Sequence, residues 1–174
     1  ILEPNEASSI NEVSITKNNL LVNVLNNVTS QLSLFTLSGR GWVSQKVKSP
    51  DLGTITIRAS DELSDHYFFQ YENFVTPSTL YYGTANDNAI KPIKSLPAYF
   101  DGSKYQVNQF NAKSIDGTMV PYFMVSSKDM KYDGTNPTLI YAYGGFEVSM
   151  QPFYAASFGV SWLDKGGVFV LANI

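Results

Sequence analysis

Short apolar runs, separated by turn-forming residues, fill the first half of the chain. Between residues 31 and 37, Leu32, Leu34 and Leu37 nearly alternate with polar residues, as expected of a strand with one buried face. Residues 20–25 are too continuously apolar for a strand with one wet face. The pattern predicts two sets of four strands, over residues 11–16, 20–25, 31–37 and 42–47, and then 54–59, 66–71, 78–84 and 90–94.

Each set of four strands spans roughly forty residues, the period expected of a β-propeller blade. Two blades do not make a closed propeller, because each blade needs a neighbour on both sides. An antiparallel sandwich accommodates the same number of strands. The pattern by itself therefore leaves both architectures open.

The pattern changes beyond residues 91–97, a proline-containing stretch that predicts a linker. Two further strands are predicted at 105–112 and 119–126. The loop between them contains Asp116-Gly117, a strong hairpin signal. This second part of the chain therefore begins with a β-hairpin.

Strand and helix patterns then alternate. The apolar run 138–141 predicts a buried strand, and residues 167–174 predict another. Between them, one amphipathic helix ended by Gly166 is predicted from apolar residues at spacings of three and four: Phe153, Ala156, Val160 and Leu163. In open α/β sheets, the loops at the carboxyl ends of such strands hold active sites.

Composition excludes several classes of protein. Of the 174 residues, 44% are hydrophobic and 16% charged, which is typical of a folded domain, and the 14% of aromatic residues favours β structure. A net charge of −3 without a Lys/Arg cluster argues against a nucleic-acid or anionic-membrane partner. Without cysteine there is no disulfide framework and no thiolate metal site. No apolar run approaches the length of a membrane span.

The two ends of the sequence predict an internal piece of a longer protein. Residues 1–4 lack the basic and apolar regions of a signal peptide and do not begin with Met. The last residue, Ile174, directly follows an apolar strand pattern without a polar tail.

The titratable side chains give weak candidates for chemistry. His66, the one histidine, lies in a predicted strand among aromatic residues, where a structural role is the simpler interpretation. Asp61, Glu62 and Asp65 lie in a polar turn beside it, where solvated carboxylates are expected. No metal site is therefore predicted.

A serine nucleophile of the hydrolase type would lie in a Gly-x-Ser-x-Gly turn between a strand and a helix. The nearest match, at Ser161, lacks the second glycine and falls inside the predicted helix. No histidine follows it to act as the base. The 174 residues therefore contain no complete catalytic triad.

A turn with two adjacent glycines follows the strand at 138–141. Gly144 and Gly145 allow the backbone to turn sharply and to approach another group closely. Tyr143, before them, carries a hydroxyl that can donate a hydrogen bond. A plain tight turn explains the same residues, but the place at a strand's carboxyl end favours a functional site.

Residues 137–146, 149–152 and 166–174 resemble, in this order, the start of the catalytic domain of prolyl oligopeptidases, and residues 116–121 are similar to the hairpin that opens that domain. These peptidases join a seven-bladed β-propeller to an α/β-hydrolase domain. The resemblance implies a mainly β chain with an α/β part. Residues 1–97 would form the last two four-stranded blades, and residues 98–174 the first strands and helix of the hydrolase domain, truncated before the nucleophile.

The resemblance also implies a function for the whole protein: a serine endopeptidase that hydrolyses short peptides on the carboxyl side of proline, without metal or organic cofactor. Tyr143 matches the family's oxyanion-stabilising tyrosine, Phe146 an aromatic of the substrate pocket, and Gly144 and Gly145 shape the turn between them. Gly145-Phe146 favours the prolyl-specific branch over the relative that cleaves after basic residues. Without its triad, the chain alone is expected to be inactive.

Two other classes of function remain open, a non-catalytic β-rich binding module and an esterase-like α/β-hydrolase. For the peptidase, the expected partners are short proline-containing peptides, with neither nucleic acid nor membrane. Unpaired strand edges predict self-association of the isolated chain. The resemblance favours a cytoplasmic location, with the periplasm as the alternative.

Overall fold

The computed structural model describes residues 1–146 and 148–174. Within these residues, twelve strands form three four-stranded sheets, accompanied by one α-helix. The elements are β1 Ser8–Ile15, β2 Asn19–Asn26, β3 Thr29–Ser38, β4 Gly41–Lys46, β5 Thr54–Ser60, β6 His66–Asn73, β7 Thr76–Thr84, β8 Ala89–Ser95, β9 Tyr105–Lys113, β10 Met119–Ser127, β11 Thr138–Ala142, α1 Ala156–Ser161 and β12 Val168–Ala172.

The first two sheets are antiparallel meanders of consecutive strands, in the orders β1-β2-β3-β4 and β5-β6-β7-β8. The eight strands predicted in two sets of four are thus confirmed, although β8 runs through part of the predicted linker. The sheets share a buried core, to which Leu21 and Leu32 of the first sheet and Tyr67 and Phe69 of the second contribute. Consecutive four-stranded sheets packed on one another form a propeller-like arrangement.

A buried carboxylate fixes the first sheet to the second. Asp65, directly before β6, is 7% exposed. It accepts hydrogen bonds from Thr16 Oγ1 (2.9 Å), Asn18 N (2.9 Å), Asn18 Nδ2 (2.6 Å) and Asn19 Nδ2 (3.0 Å), all in or beside the β1–β2 turn. Burial disfavours the charged carboxylate, but these donors outweigh it and hold the pKa of Asp65 below its ordinary value.

The prediction that the carboxylates of this turn are all solvated is therefore wrong for Asp65. Asp61 and Glu62 are exposed, as predicted. Asp65 differs because the β1–β2 turn of the neighbouring sheet covers it with donors, and a contact across 46 or more sequence positions leaves no local signal.

The third sheet is mixed, in the order β11-β12-β10-β9. β9 and β10 form the predicted hairpin, in which Gly117 takes a φ of 92° and Ser114 N donates to Thr118 O. β12 pairs antiparallel to β10 and parallel to β11. β12 is buried as predicted, whereas the prediction of a buried β11 is wrong. Because β11 is the edge strand, all five of its residues are exposed, including Ile140 at 67%.

The prediction of one amphipathic helix from Phe153 to Leu163 also needs correction. α1 has six residues, Phe153 precedes it, Leu163 follows it in a short 3-10 turn, and Val160 is exposed. The helix ends early because Trp162 leaves helical conformation and donates its indole N–H to Val168 O at 2.9 Å. Gly166, in left-handed conformation at φ 86°, ends the 3-10 turn.

The α/β part of the described residues thus amounts to one mixed sheet and one short helix, and it contains no complete α/β-hydrolase domain. Along these same residues, no helix is long and apolar enough to cross a membrane.

A hairpin of the second sheet enters the core of the third. Phe74, at the β6–β7 turn, is fully buried. Its ring lies 5.5 Å from that of Phe123, 5.6 Å from that of Phe153 and 6.0 Å from that of Phe169. Its carbonyl accepts a hydrogen bond from Ala155 N at 3.2 Å. The β2–β3 turn, at the same end of the first sheet, also packs against this core through Val28.

We expect Asp65→Asn to destabilise the chain by about 1–3 kcal/mol at neutral pH, because an amide NH₂ then faces buried donors. A folded-state pKa below the ordinary value of 3.8 gives stability that is present above that value and lost as pH falls through the folded pKa. The deficit of the variant, measured by thermal unfolding, should therefore shrink in acid. Glu62→Gln, at an exposed glutamate of the same turn, is the control. A deficit independent of pH would contradict the assignment.

Candidate functional site

The glycine turn and the end of β12 meet at one edge of the mixed sheet. β11 and β12 are parallel, and Ala142 pairs with Ala172. Tyr143 and Asn173 follow these two residues, so both lie at the carboxyl ends of neighbouring parallel strands. The sequence placed Tyr143, Gly144 and Gly145 at such an edge, and the structure has them there.

The two glycines leave room for close approaches by neighbouring atoms. A Cβ at Gly144 would lie 3.0 Å from Ile174 O, and a Cβ at Gly145 would lie 2.8 Å from Tyr143 Oη. Both distances are at or below the limit of real Cβ contacts, so a larger residue would displace its neighbour. Gly145 therefore provides the space in which the Tyr143 hydroxyl lies.

Tyr143 is 39% exposed. Among the described residues, no hydrogen-bond partner of its hydroxyl is found. A phenol O–H in this position can donate to a group that binds at the sheet edge.

The Phe146 side chain extends into solvent. The residue is 93% exposed, and its backbone has a φ of 58°, a left-handed conformation that costs a residue with a side chain about 1–2 kcal/mol. It does not line the cavity beside Gly144. The structure thus brings Tyr143, Gly144 and Gly145 together and leaves the Phe146 ring in solvent.

Asn173 clamps the loop that follows the turn, a role that sequence reasoning missed. Its Oδ1 accepts from Met150 N at 2.7 Å, and its Nδ2 donates to Met150 O at 3.1 Å. Its own backbone N–H donates to Pro121 O at 3.0 Å. One side chain therefore satisfies both backbone groups of Met150. An asparagine directly after a buried strand was the available signal.

The loop is also tied to the propeller-like sheets. Thr54 Oγ1, at the start of β5, donates to Pro152 O at 2.6 Å. With the Asn173 clamp two residues earlier, the loop after Tyr143 is held by both parts of the chain. A cavity of about 200 Å³ remains beside it, lined by Val28, Gly144, Val148, Ser149, Asn173 and Ile174.

The other residues considered from the sequence lie away from the glycine turn or already have a hydrogen-bond partner. His66 Nδ1 is 2.6 Å from Tyr82 Oη, and Phe74 lies eight positions further along the chain, about 26 Å away at 3.3 Å per residue of strand. Ser161 Oγ donates to Ser157 O within α1 at 2.6 Å. No group of three or more metal-ligating side chains occurs in the described part of the chain.

Comparison with known proteins identifies the family. The model described as "Prolyl oligopeptidase, N-terminal beta-propeller domain" matches residues 1–95. The chain belongs to the prolyl oligopeptidase family. The resemblance found in the sequence is thereby confirmed.

Individual relatives match nearly the whole chain. The peptidase y4nA of Sinorhizobium fredii is 47% identical over 98% of this chain and 24% of its own length. A post-proline cleaving enzyme from Rickettsia typhi has the same fold over 100% of this chain and 25% of its own, with a TM-score of 0.80 and 33% identity. A structure from a mechanistic study of two prolyl endopeptidases has a TM-score of 0.85 and 33% sequence identity. The match covers 99% of this chain and 25% of that protein. The chain spans about a quarter of the length of these relatives.

We expect Asn173→Ala to release the loop around Met150. Losing a net hydrogen bond to each backbone group of Met150 should speed exchange of its amide hydrogen at least roughly fivefold. Hydrogen exchange with mass spectrometry on peptides covering 144–152 measures this. Asn136→Ala, which removes an exposed side-chain bond to Lys131 O, is the control. Unchanged exchange in Asn173→Ala would show that other contacts hold the loop.

Proposed function

We propose that the whole protein is a serine endopeptidase of the prolyl oligopeptidase type, which hydrolyses short peptides on the carboxyl side of proline. The observation that carries this proposal is the Tyr143 hydroxyl. It lies against Gly145, at the carboxyl end of two parallel strands, and has no partner among the described residues. The family relation and the post-proline cleavage by the Rickettsia typhi relative support it.

Tyr143 has the chemistry to stabilise an oxyanion. Attack of a serine on the scissile carbonyl turns the carbonyl oxygen into an anion within a tetrahedral intermediate. A donor fixed in advance stabilises that anion without reorganisation during the reaction. Tyr143 would share this role with a backbone N–H, while Gly144 and Gly145 keep the turn compact. Phe146 would line the proline pocket once the rest of the protein surrounds its ring.

The proposal divides the chain into two parts. Residues 1–97 are the last two blades of a propeller, and residues 98–174 are the first strands and helix of an α/β-hydrolase domain. The mixed sheet supports the second assignment, because its parallel pair and crossover are those of an open α/β sheet. Exposed apolar residues on β11 support it too, since they suit a strand that has further neighbours. The serine, aspartate and histidine of the triad lie outside these 174 residues.

In the full-length enzyme, we expect Tyr143→Phe to lower kcat by about 10²–10³, because the oxyanion loses one donor. KM should change little, since the donor acts on the intermediate more than on the substrate. Steady-state hydrolysis of a Gly-Pro chromogenic peptide measures both constants. Tyr132→Phe, at an exposed loop tyrosine, is the matched control. Turnover within twofold of wild type would remove Tyr143 from the oxyanion site.

We expect the 174-residue chain alone to release no product from the same peptide above a buffer control, because it lacks the triad.

The chain alone should also self-associate, since Ile10, Val13 and Ile15 on β1 are exposed beside an unpaired strand edge. Light scattering at high concentration tests the second expectation. Measurable cleavage would refute the first, and a monomer the second.

A further inference from the structure

The turn between β2 and β3 has an unusual residue at its tip. Asn27 and Val28 form a two-residue turn with φ of 44° and 58°. Asn-Gly is the pair that such turns prefer, because both central residues need positive φ. Asparagine tolerates this conformation, whereas a β-branched residue rarely adopts it. A valine in this position indicates that its side chain is needed where it lies.

Val28 stands between two neighbouring cavities. The first, of about 200 Å³, includes Gly144 and Ile174 at the candidate site. The second, of about 310 Å³, opens between the first sheet and the start of β10, where Met119 and Pro121 lie. Val28 and Ser149 line both cavities. The two cavities therefore adjoin at Val28 and Ser149, one beside the glycine turn and the other at the boundary between the propeller-like sheets and the mixed sheet.

The lining of the second cavity suits a peptide. Apolar surface comes from Leu25, Met119 and Pro121, and polar groups come from Ser8 and Ser9. A peptide needs both kinds of surface, because its side chains and its backbone N–H and C=O groups must each find partners.

We propose that Val28 is a substrate-specificity residue. A peptide held at Tyr143 and Gly144 continues past Val28 into the cavity beside Met119, and the valine side chain contacts a residue beyond the proline dipeptide. This inference rests on the proposed peptidase function. It gives the hairpin of the first sheet a direct part in substrate selection.

Leu52 provides a matched control. It also has positive φ, at 53°, and it packs against the same core of the mixed sheet. Leu52 lines a different cavity, with Thr29 and Gln109, which does not include Gly144. Glycine at either position removes a side chain from that core and relieves a left-handed backbone. Only Val28→Gly alters the lining of the two cavities beside the candidate site.

The test compares full-length wild type, Val28→Gly and Leu52→Gly on two substrates, a Gly-Pro chromogenic dipeptide and fluorogenic peptides extended by several residues on either side of it. We expect Val28→Gly to lower kcat/KM for an extended peptide about fourfold or more, the factor for one buried methylene. The dipeptide substrate should stay within twofold. Leu52→Gly should leave both unchanged.

Equal losses in the two variants, or an equal loss on short and long substrates, would overturn the inference and reduce Val28 to a packing residue. The same holds if Val28→Gly matches wild type throughout. If wild type cleaves neither substrate, the proposed function itself fails and the inference fails with it. Thermal unfolding of each variant checks the fold, and Val28→Ala replaces Val28→Gly if the latter is unstable.

Discussion

The buried Asp65 carboxylate links the first sheet to the second through several hydrogen bonds at one point. It lies at the amino end of β6, where the β1–β2 turn surrounds it with donors. The hairpin tips that reach the mixed sheet, at Val28 and Phe74, lie at the other end of these strands. An ionic group bound by several directional donors tolerates little rotation between the sheets. Asp65 therefore contributes to the positions of both tips from a full strand length away.

The candidate site needs this rigidity because its parts come from distant segments. The end of β11 supplies Tyr143, the end of β12 supplies the Asn173 clamp, and the propeller-like sheets supply Thr54. A hydrogen-bond donor stabilises a developing charge only if it is already in position when that charge forms. Holding the Tyr143 loop from both parts of the chain meets this requirement for the proposed oxyanion role of Tyr143. A change in how the two parts of the chain dock would therefore move the Tyr143 hydroxyl.

Sequence patterns predicted what depends on neighbours along the chain. The eight strands, the Asp116-Gly117 hairpin and the glycine turn could all be predicted, because the alternation of apolar and polar residues and the preferences of turns are local. The exposure of β11 could not be predicted, because burial of an edge strand depends on which elements pack beside it. Asp65 and Asn173 were missed for a related reason: their partners lie 46 and 23 positions away, and an isolated Asp or Asn has the same signature in a solvated turn.

The burial of Phe74 in the mixed sheet has a consequence for biosynthesis. The aromatic rings that surround it, Phe123, Phe153 and Phe169, all follow it in the chain. During translation from the amino end, the hairpin that carries Phe74 leaves the ribosome before the sheet that encloses it exists. A large apolar side chain thus stays uncovered until about a hundred further residues are made, a count that follows from the place of Phe169. The order of synthesis therefore leaves the Phe74 side chain uncovered until the second part of the chain has been made.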